Sequence, residues 1–180
     1  MRKLIISTAV MMAFAGNAMA ADTGTIQFTG AVTDTTCSVD IGGAGSDATV
    51  QLPTVSATSL ATAASVAGKT QFTISLSGCT GAPGTAKAFF EPGSTVNTNT
   101  GRLLNTDTAG AGNVSLQLLD GTTDTAINVG DYSQVSGGTG FVDISSGSAV
   151  LPYFVQYYAE DDVVSAGAVA SQVTYSISYQ

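Results

Sequence analysis

Cys37 and Cys79 are the only two thiols in a chain of 180 residues that contains no histidine and no tryptophan. That narrows the available chemistry at once. Histidine-based catalysis, Ser/His/Asp and Cys/His nucleophilic arrangements and histidine metal sites cannot be built, and no C-x-x-C spacing offers a thiolate pair. Glu160, Asp161 and Asp162 could supply carboxylates for glycoside hydrolysis or a weak cation. Three consecutive acids directly after an apolar strand belong in a solvated turn, however, and that reading is preferred. Gly137-Gly138-Thr139-Gly140 lacks the lysine and helix start of a phosphate cradle. Asn113-Val114-Ser115 matches a glycosylation sequon at the start of a strand. Tyr153, Phe154, Tyr157 and Tyr158 could line a sugar site, although alternating aromatics in a strand more often divide between core and surface. The lysines fall in stretches read as polar loops without a partner motif. Neither an enzyme nor a cofactor is expected.

Residues 1–20 carry a basic start at Arg2 and Lys3, an apolar stretch from Leu4 to Ala15, and Ala18-Met19-Ala20. This is the pattern of a secretory signal peptide cleaved after Ala20, too short for a membrane span. Removing it leaves 160 residues in which three basic side chains, Lys69, Lys87 and Arg102, face all 13 acids, for a formal charge of -10. Such a balance repels phosphate backbones, so nucleic acid is not an expected partner. Two cysteines in an exported chain allow one intramolecular pairing, and Cys37 and Cys79 are predicted to be bridged. Closing a loop of about 43 residues contributes ~4 kcal/mol in the chain-entropy model.

The elements that must carry these residues are strands. Apolar residues recur at alternate positions in period-2 runs at Thr25 to Val32, Gln71 to Leu76, Val114 to Leu118, Leu151 to Tyr157 and Val169 to Tyr179. Gly42-Gly43, Gly81 to Gly84, Pro92-Gly93, Asp120-Gly121 and Gly137 to Gly140 punctuate them. Asp120-Gly121 reads as a hairpin tip between Leu118-Leu119 and Ala126-Ile127. Only Ser56 to Val66 resembles a helix, and its Ser and Thr content reduces it to a short turn. The expected fold is an all-β, Ig-like sandwich stapled by one disulfide.

Both ends read as half-buried strands. Val169, Val173, Tyr175, Ile177 and Tyr179 share one face of the last; Ile26, Phe28, Gly30 and Val32 share one face of the first. Pattern alone leaves two readings open. Each end pairs within its own sandwich, or the first strand leaves to complete the sheet of a neighbour by strand addition.

Ordered motifs bear on that choice: Gly24 to Gly30 (GTIQFTG), Cys37 to Asp40 (CSVD), Val50 to Pro53 (VQLP), Phe72 to Cys79 (FTISLSGC), Val114 to Asp120 (VSLQLLD), Leu151 to Ala159 (LPYFVQYYA) and Val173 to Gln180 (VTYSISYQ), with Gly167 fourteenth from the end and Tyr179 penultimate. Together they resemble the type 1-like pilins of the chaperone-usher pathway over essentially the whole mature chain. The resemblance implies an incomplete Ig-like β-sandwich whose missing strand leaves a groove. It divides the chain into a signal peptide (1–20), an N-terminal extension that acts as donor strand (21–35) and a pilin domain (36–180). Ile26, Phe28, Gly30 and Val32 would enter the groove of the next subunit, Phe28 where exchange begins and Gly30 across the narrowest part. Gly167, Val169, Val173, Tyr175, Ile177 and Tyr179 would form a groove wall and the motif recognised during assembly. The implied partners are other pilin subunits in a head-to-tail homopolymer, a periplasmic chaperone, an outer-membrane usher and a tip adhesin. The implied destination is a fimbrium at the cell surface, reached through the periplasm. A minor adapter pilin of the same fold and a monomeric secreted carbohydrate-binding sandwich are the alternatives.

Overall fold

Period-2 alternation produces ladders wherever both neighbours of a strand are present. In the computed structural model, which describes residues 25–30, 32, 34–81 and 84–180, eight strands form two antiparallel sheets. The first contains β1 (Thr36–Ile41), β2 (Val66–Thr80), β4 (Leu103–Leu104), β5 (Val114–Asp120) and β7 (Ala149–Ala159), in the order β1-β2-β7-β5-β4. The second has the order β6-β3-β8, from β3 (Thr85–Phe90), β6 (Val142–Asp143) and β8 (Tyr175–Tyr179). The expected signal peptide (1–20), residues 21–24, Ala31, Thr33 and the middle of the Gly81 to Gly84 turn lie outside the described residues.

Register gathers the core. Ile74 faces Leu151 and Phe72 faces Tyr153 across β2 and β7, while Leu118 faces Val155 across β5 and β7. Their shared face meets Ala86, Ala88 and Phe90 of β3 in one cluster. A slip of one residue would turn the whole set to solvent. Phe90 and Phe72 pack against Tyr153 with ring centroids 5.0 and 5.6 Å away. The Cys37–Cys79 bridge is formed, as expected, and ties β1 to the end of β2.

β3 was not marked by the alternation, since Ala86 and Ala88 are weak strand formers and Lys87 reads as polar. Its backbone groups beyond the short β6 are met by side chains. Tyr153 Oη accepts from Ala88 N at 2.9 Å, and the Gln134 amide accepts from Phe90 N and donates to Phe90 O, each at 3.0 Å. A buried backbone edge needs such partners.

Lys87 corrects the loop reading. It is buried on β3, with Nζ 2.7 Å from Asp120 Oδ2 and donating to Thr139 O at 3.0 Å. Asp120 Oδ1 accepts from Thr122 N and Thr123 N, which tightens the turn expected at Asp120-Gly121. The helical stretch at Ser56 is one 3-10 turn, Ala57–Leu60, capped by the Ser56 side chain.

Both terminal strands differ from expectation. The last ladder covers only Tyr175–Tyr179, and Val169 to Thr174 is extended without one. Described by itself, the N-terminal stretch holds no strand at residues 25–30 or 32, and Ile26, Phe28 and Val32 are exposed. An alternating strand without a neighbour has nothing to close a ladder on.

Candidate functional site: a groove between two unpaired segments

The two sheets do not close on each other at one side of the sandwich. Two segments that join no ladder flank the gap there, residues 47–55 and residues 167–174. In the second, alternate carbonyls turn toward the domain. Ala168 O accepts from Ala111 N (2.8 Å), Ala170 O from Thr106 N (2.8 Å), Gln172 O from Thr95 Oγ1 (2.6 Å) and Thr174 O from Glu91 N (2.8 Å). The intervening backbone groups of Val169, Ser171 and Val173 have no hydrogen-bond partner among the described residues. The first segment has no backbone hydrogen bonds among the described residues from Asp47 to Val55. It is moored by Tyr175 Oη, which donates to Ser46 O at 2.8 Å. Both lips alternate: Val50 and Leu52, and Val169, Val173 and Tyr175, turn partly into the core, while Thr49, Gln51, Ala170, Gln172 and Thr174 face out.

Between the lips lies a trough of about 580 Å³ floored by Phe72, Leu103, Leu116, Leu118 and Val155. A second hollow of about 370 Å³ continues along the same lips, lined by Leu52, Val55, Leu60, Val114, Tyr157 and Val169. No lysine or arginine lines either hollow, and burial pushes the phenols of Tyr157 and Tyr175 up, so both stay neutral. Asp47 at the rim adds to the effect at Tyr175. Gly167 stands at the far end of the wall. A Cβ there would clash with Ala111 N and Gly110 C, so only glycine lets the lip approach that loop.

The wall residues named from the sequence fall into two sets. Val169, Val173 and Tyr175 border the groove; Ile177 and Tyr179 continue along β8, paired with Ala88 and Ala86. The opposite lip at Val50 and Leu52 was legible only as a short motif, without a role. On the N-terminal stretch, Ile26, Phe28 and Val32 are 77%, 90% and 103% exposed, and a Cβ on Gly30 would meet nothing within 4 Å.

Other candidate chemistry dissolves. Tyr153 is in the core, and the guanidinium of Arg102 lies 3.9 Å over the Tyr158 ring. Glu160 is not merely solvated: it takes a two-pronged bond from Arg102 at 2.8 Å and accepts from Ser115 Oγ at 2.6 Å. The bond from Arg102 is the main cause that holds its carboxyl below the usual range. Asp161 and Asp162 are exposed. No group of three metal-binding side chains forms among the described residues. What remains is a trough with an apolar floor and polar rims between two free backbone edges, able to accept an extended segment with alternating apolar side chains.

Comparison with known proteins shows the family and the fold. Residues 52–180 match the family described as FimA, type-1 fimbrial protein, A. The chain is 44% identical over 182 residues to the major fimbrial subunit SMF-1 of Stenotrophomonas maltophilia, covering 94% of this chain and 99% of the relative. It is 40% identical over 185 residues to the F17 fimbrial protein of Escherichia coli, over 100% of each. Among solved structures, the P pilus rod subunit PapA superposes with a TM-score of 0.59 at 20% identity, over 79% of this chain and 99% of PapA, a likeness of fold.

Proposed function

We propose, from the premise that the chain belongs to the family of type-1 fimbrial proteins, that residues 21–35 of each copy fill the groove of the next. The protein is a structural subunit of fimbriae, and strand donation is the means by which its copies join. One observation carries the reading: a trough with unpaired backbone on both lips occurs in the same chain as a segment whose exposed Ile26, Phe28 and Val32 fall at alternate positions of the sequence.

The energetics favour it. Burying those three side chains contributes on the order of several kcal/mol, and the free N–H and C=O groups of both lips gain partners in a dry setting. Gly30 brings backbone close where a side chain would not fit. Such a contact joins unlike surfaces and does not close, so it propagates into a filament. The same open trough is a hazard before assembly, which calls for a periplasmic chaperone to cover it and an outer-membrane usher to exchange it. The three apolar donors, the wall from Gly167 to Tyr179, and the division at 20 and 35 belong to this proposal. So do export through the periplasm, a tip adhesin at the filament end, and the absence of any enzymatic role beyond the structural one.

The test is assembly in the presence of the cognate chaperone. The full chain should give SDS-resistant ladders, and the chain lacking residues 21–35 should give folded subunit without them. Gly30→Leu should keep chaperone binding and block growth. Ladders that survive the deletion would refute strand donation.

A further inference from the structure

The groove wall at Ala168 to Ala170 is not held by a strand. Its carbonyls take bonds from Ala111 N, Thr106 N and Thr106 Oγ1, and one side chain adds the rest. Asn105, immediately after β4, uses its full amide capacity: Nδ2 donates to Ala168 O (3.0 Å) and Ala111 O (2.9 Å), while Oδ1 accepts from Ala170 N (3.0 Å) and Asp107 N (3.1 Å). Two of the four bonds fold its own loop and two grip the wall.

The two that grip the wall flank Val169. A trans peptide is planar, with its C=O and N–H pointing opposite ways. Holding Ala168 C=O therefore turns the N–H of Val169 toward the open edge, and holding Ala170 N–H turns the C=O of Val169 the same way. We infer that Asn105 is a positioning residue for strand donation, presenting the paired donor and acceptor of Val169 to the incoming segment. An antiparallel ladder needs both groups of one residue on one side. Nearby bonds from Ala111 N to Ala168 O and from Thr106 N to Ala170 O fix the carbonyls, but the Ala170 N–H has only Asn105. Nothing in sequence pattern marks this residue, 63 positions from Ala168.

The inference rests on the strand-donation reading, so the experiment separates the two. Fimbriae carrying Asn105→Ala are compared with wild type and with Gln134→Ala, which removes another well-bonded amide, at Phe90 on β3. Two readouts are taken: the rate at which SDS ladders dissociate, and the temperature at which circular dichroism reports loss of the fold. With Asn105→Ala, ladders are expected to dissociate tenfold or more faster at temperatures where the fold persists. With Gln134→Ala, ladder and fold are expected to fail together. Dissociation of Asn105→Ala at the wild-type rate, or only with unfolding, overturns the role. If Asn105→Ala yields no folded subunit, Asn105→Asp decides by the same readouts. It keeps the acceptor for Ala170 N–H, loses the donor to Ala168 O, and is expected to fall between. Wild-type fimbriae without SDS-resistant ladders would instead sink strand donation itself.

Discussion

Phe28→Ala separates what the subunit needs to fold from what the fibre needs to hold. Phe28 is 90% exposed in the single chain, so truncating it removes no core contact, and the isolated domain should unfold at an unchanged temperature. In the fibre the same ring would fill a hollow such as the one of about 370 Å³ between Leu52, Leu60, Tyr157 and Val169. Its loss there combines a transfer and a cavity contribution, about 2 to 4 kcal/mol. At 1.4 kcal/mol per factor of ten, that is roughly 30-fold to 1000-fold faster dissociation. The assay is the fraction of SDS-resistant ladder remaining against time at graded temperatures, with Thr29→Ala as the control on the opposite face of the donor. Dissociation within about threefold of wild type would refute the placement of Phe28 in a neighbour, and a lowered unfolding temperature of the free domain would show that its role lies within its own chain.

Three further outcomes follow from the domain itself. Lys87→Met leaves Asp120 buried without its counter-charge, and urea denaturation should show a loss of about 3 to 5 kcal/mol. Burial holds the Tyr153 phenol well above its ordinary value, so this contribution to stability is complete below pH ~10 and falls as the pH rises beyond it. Tyr153→Phe removes that dependence in urea titrations at pH 7 and 11, while leaving Ala88 N–H unpaired at a cost of about 1 to 3 kcal/mol. Glu160 titrates below its ordinary range because of Arg102. Its contribution, no more than about 1 kcal/mol at this partly exposed site, is present above pH ~4.3 and disappears as the pH falls through the lowered value; Glu160→Gln should flatten that decline.

Alternation was readable where a strand lies between two neighbours. Ile74, Leu118 and Tyr153 took the faces their periodicity gave them, and the two cysteines met as counted. What escaped depends on partners distant in sequence. β3 hides behind alanines and a lysine whose burial requires Asp120, 33 positions on. The loop reading of Lys87 therefore failed for want of tertiary information. The last strand read too long because period 2 reports a pleated backbone and not a ladder, and at Val169 to Thr174 the pleat exists while the neighbour on its open side does not. The N-terminal stretch carries the same signal for the same reason. The lip at Val50 and Leu52 is too short to announce itself, and its hydrogen-bonding groups gain meaning only beside the wall across the trough. Periodicity thus marked one wall of the groove and the N-terminal segment, and the resemblance, not the pattern, implied that the segment completes a neighbour.

Hydrogen exchange on intact fimbriae tests strand donation most directly. In the free subunit the amides of Val50, Gln51, Leu52, Val169, Ser171 and Val173 have no acceptor among the described residues and should exchange as fast as loops. In fimbriae, those on both lips that face the donor should be protected by orders of magnitude, together with amides of Ile26 to Val32. Lip amides that exchange in fimbriae at the rates of the free subunit would contradict the account.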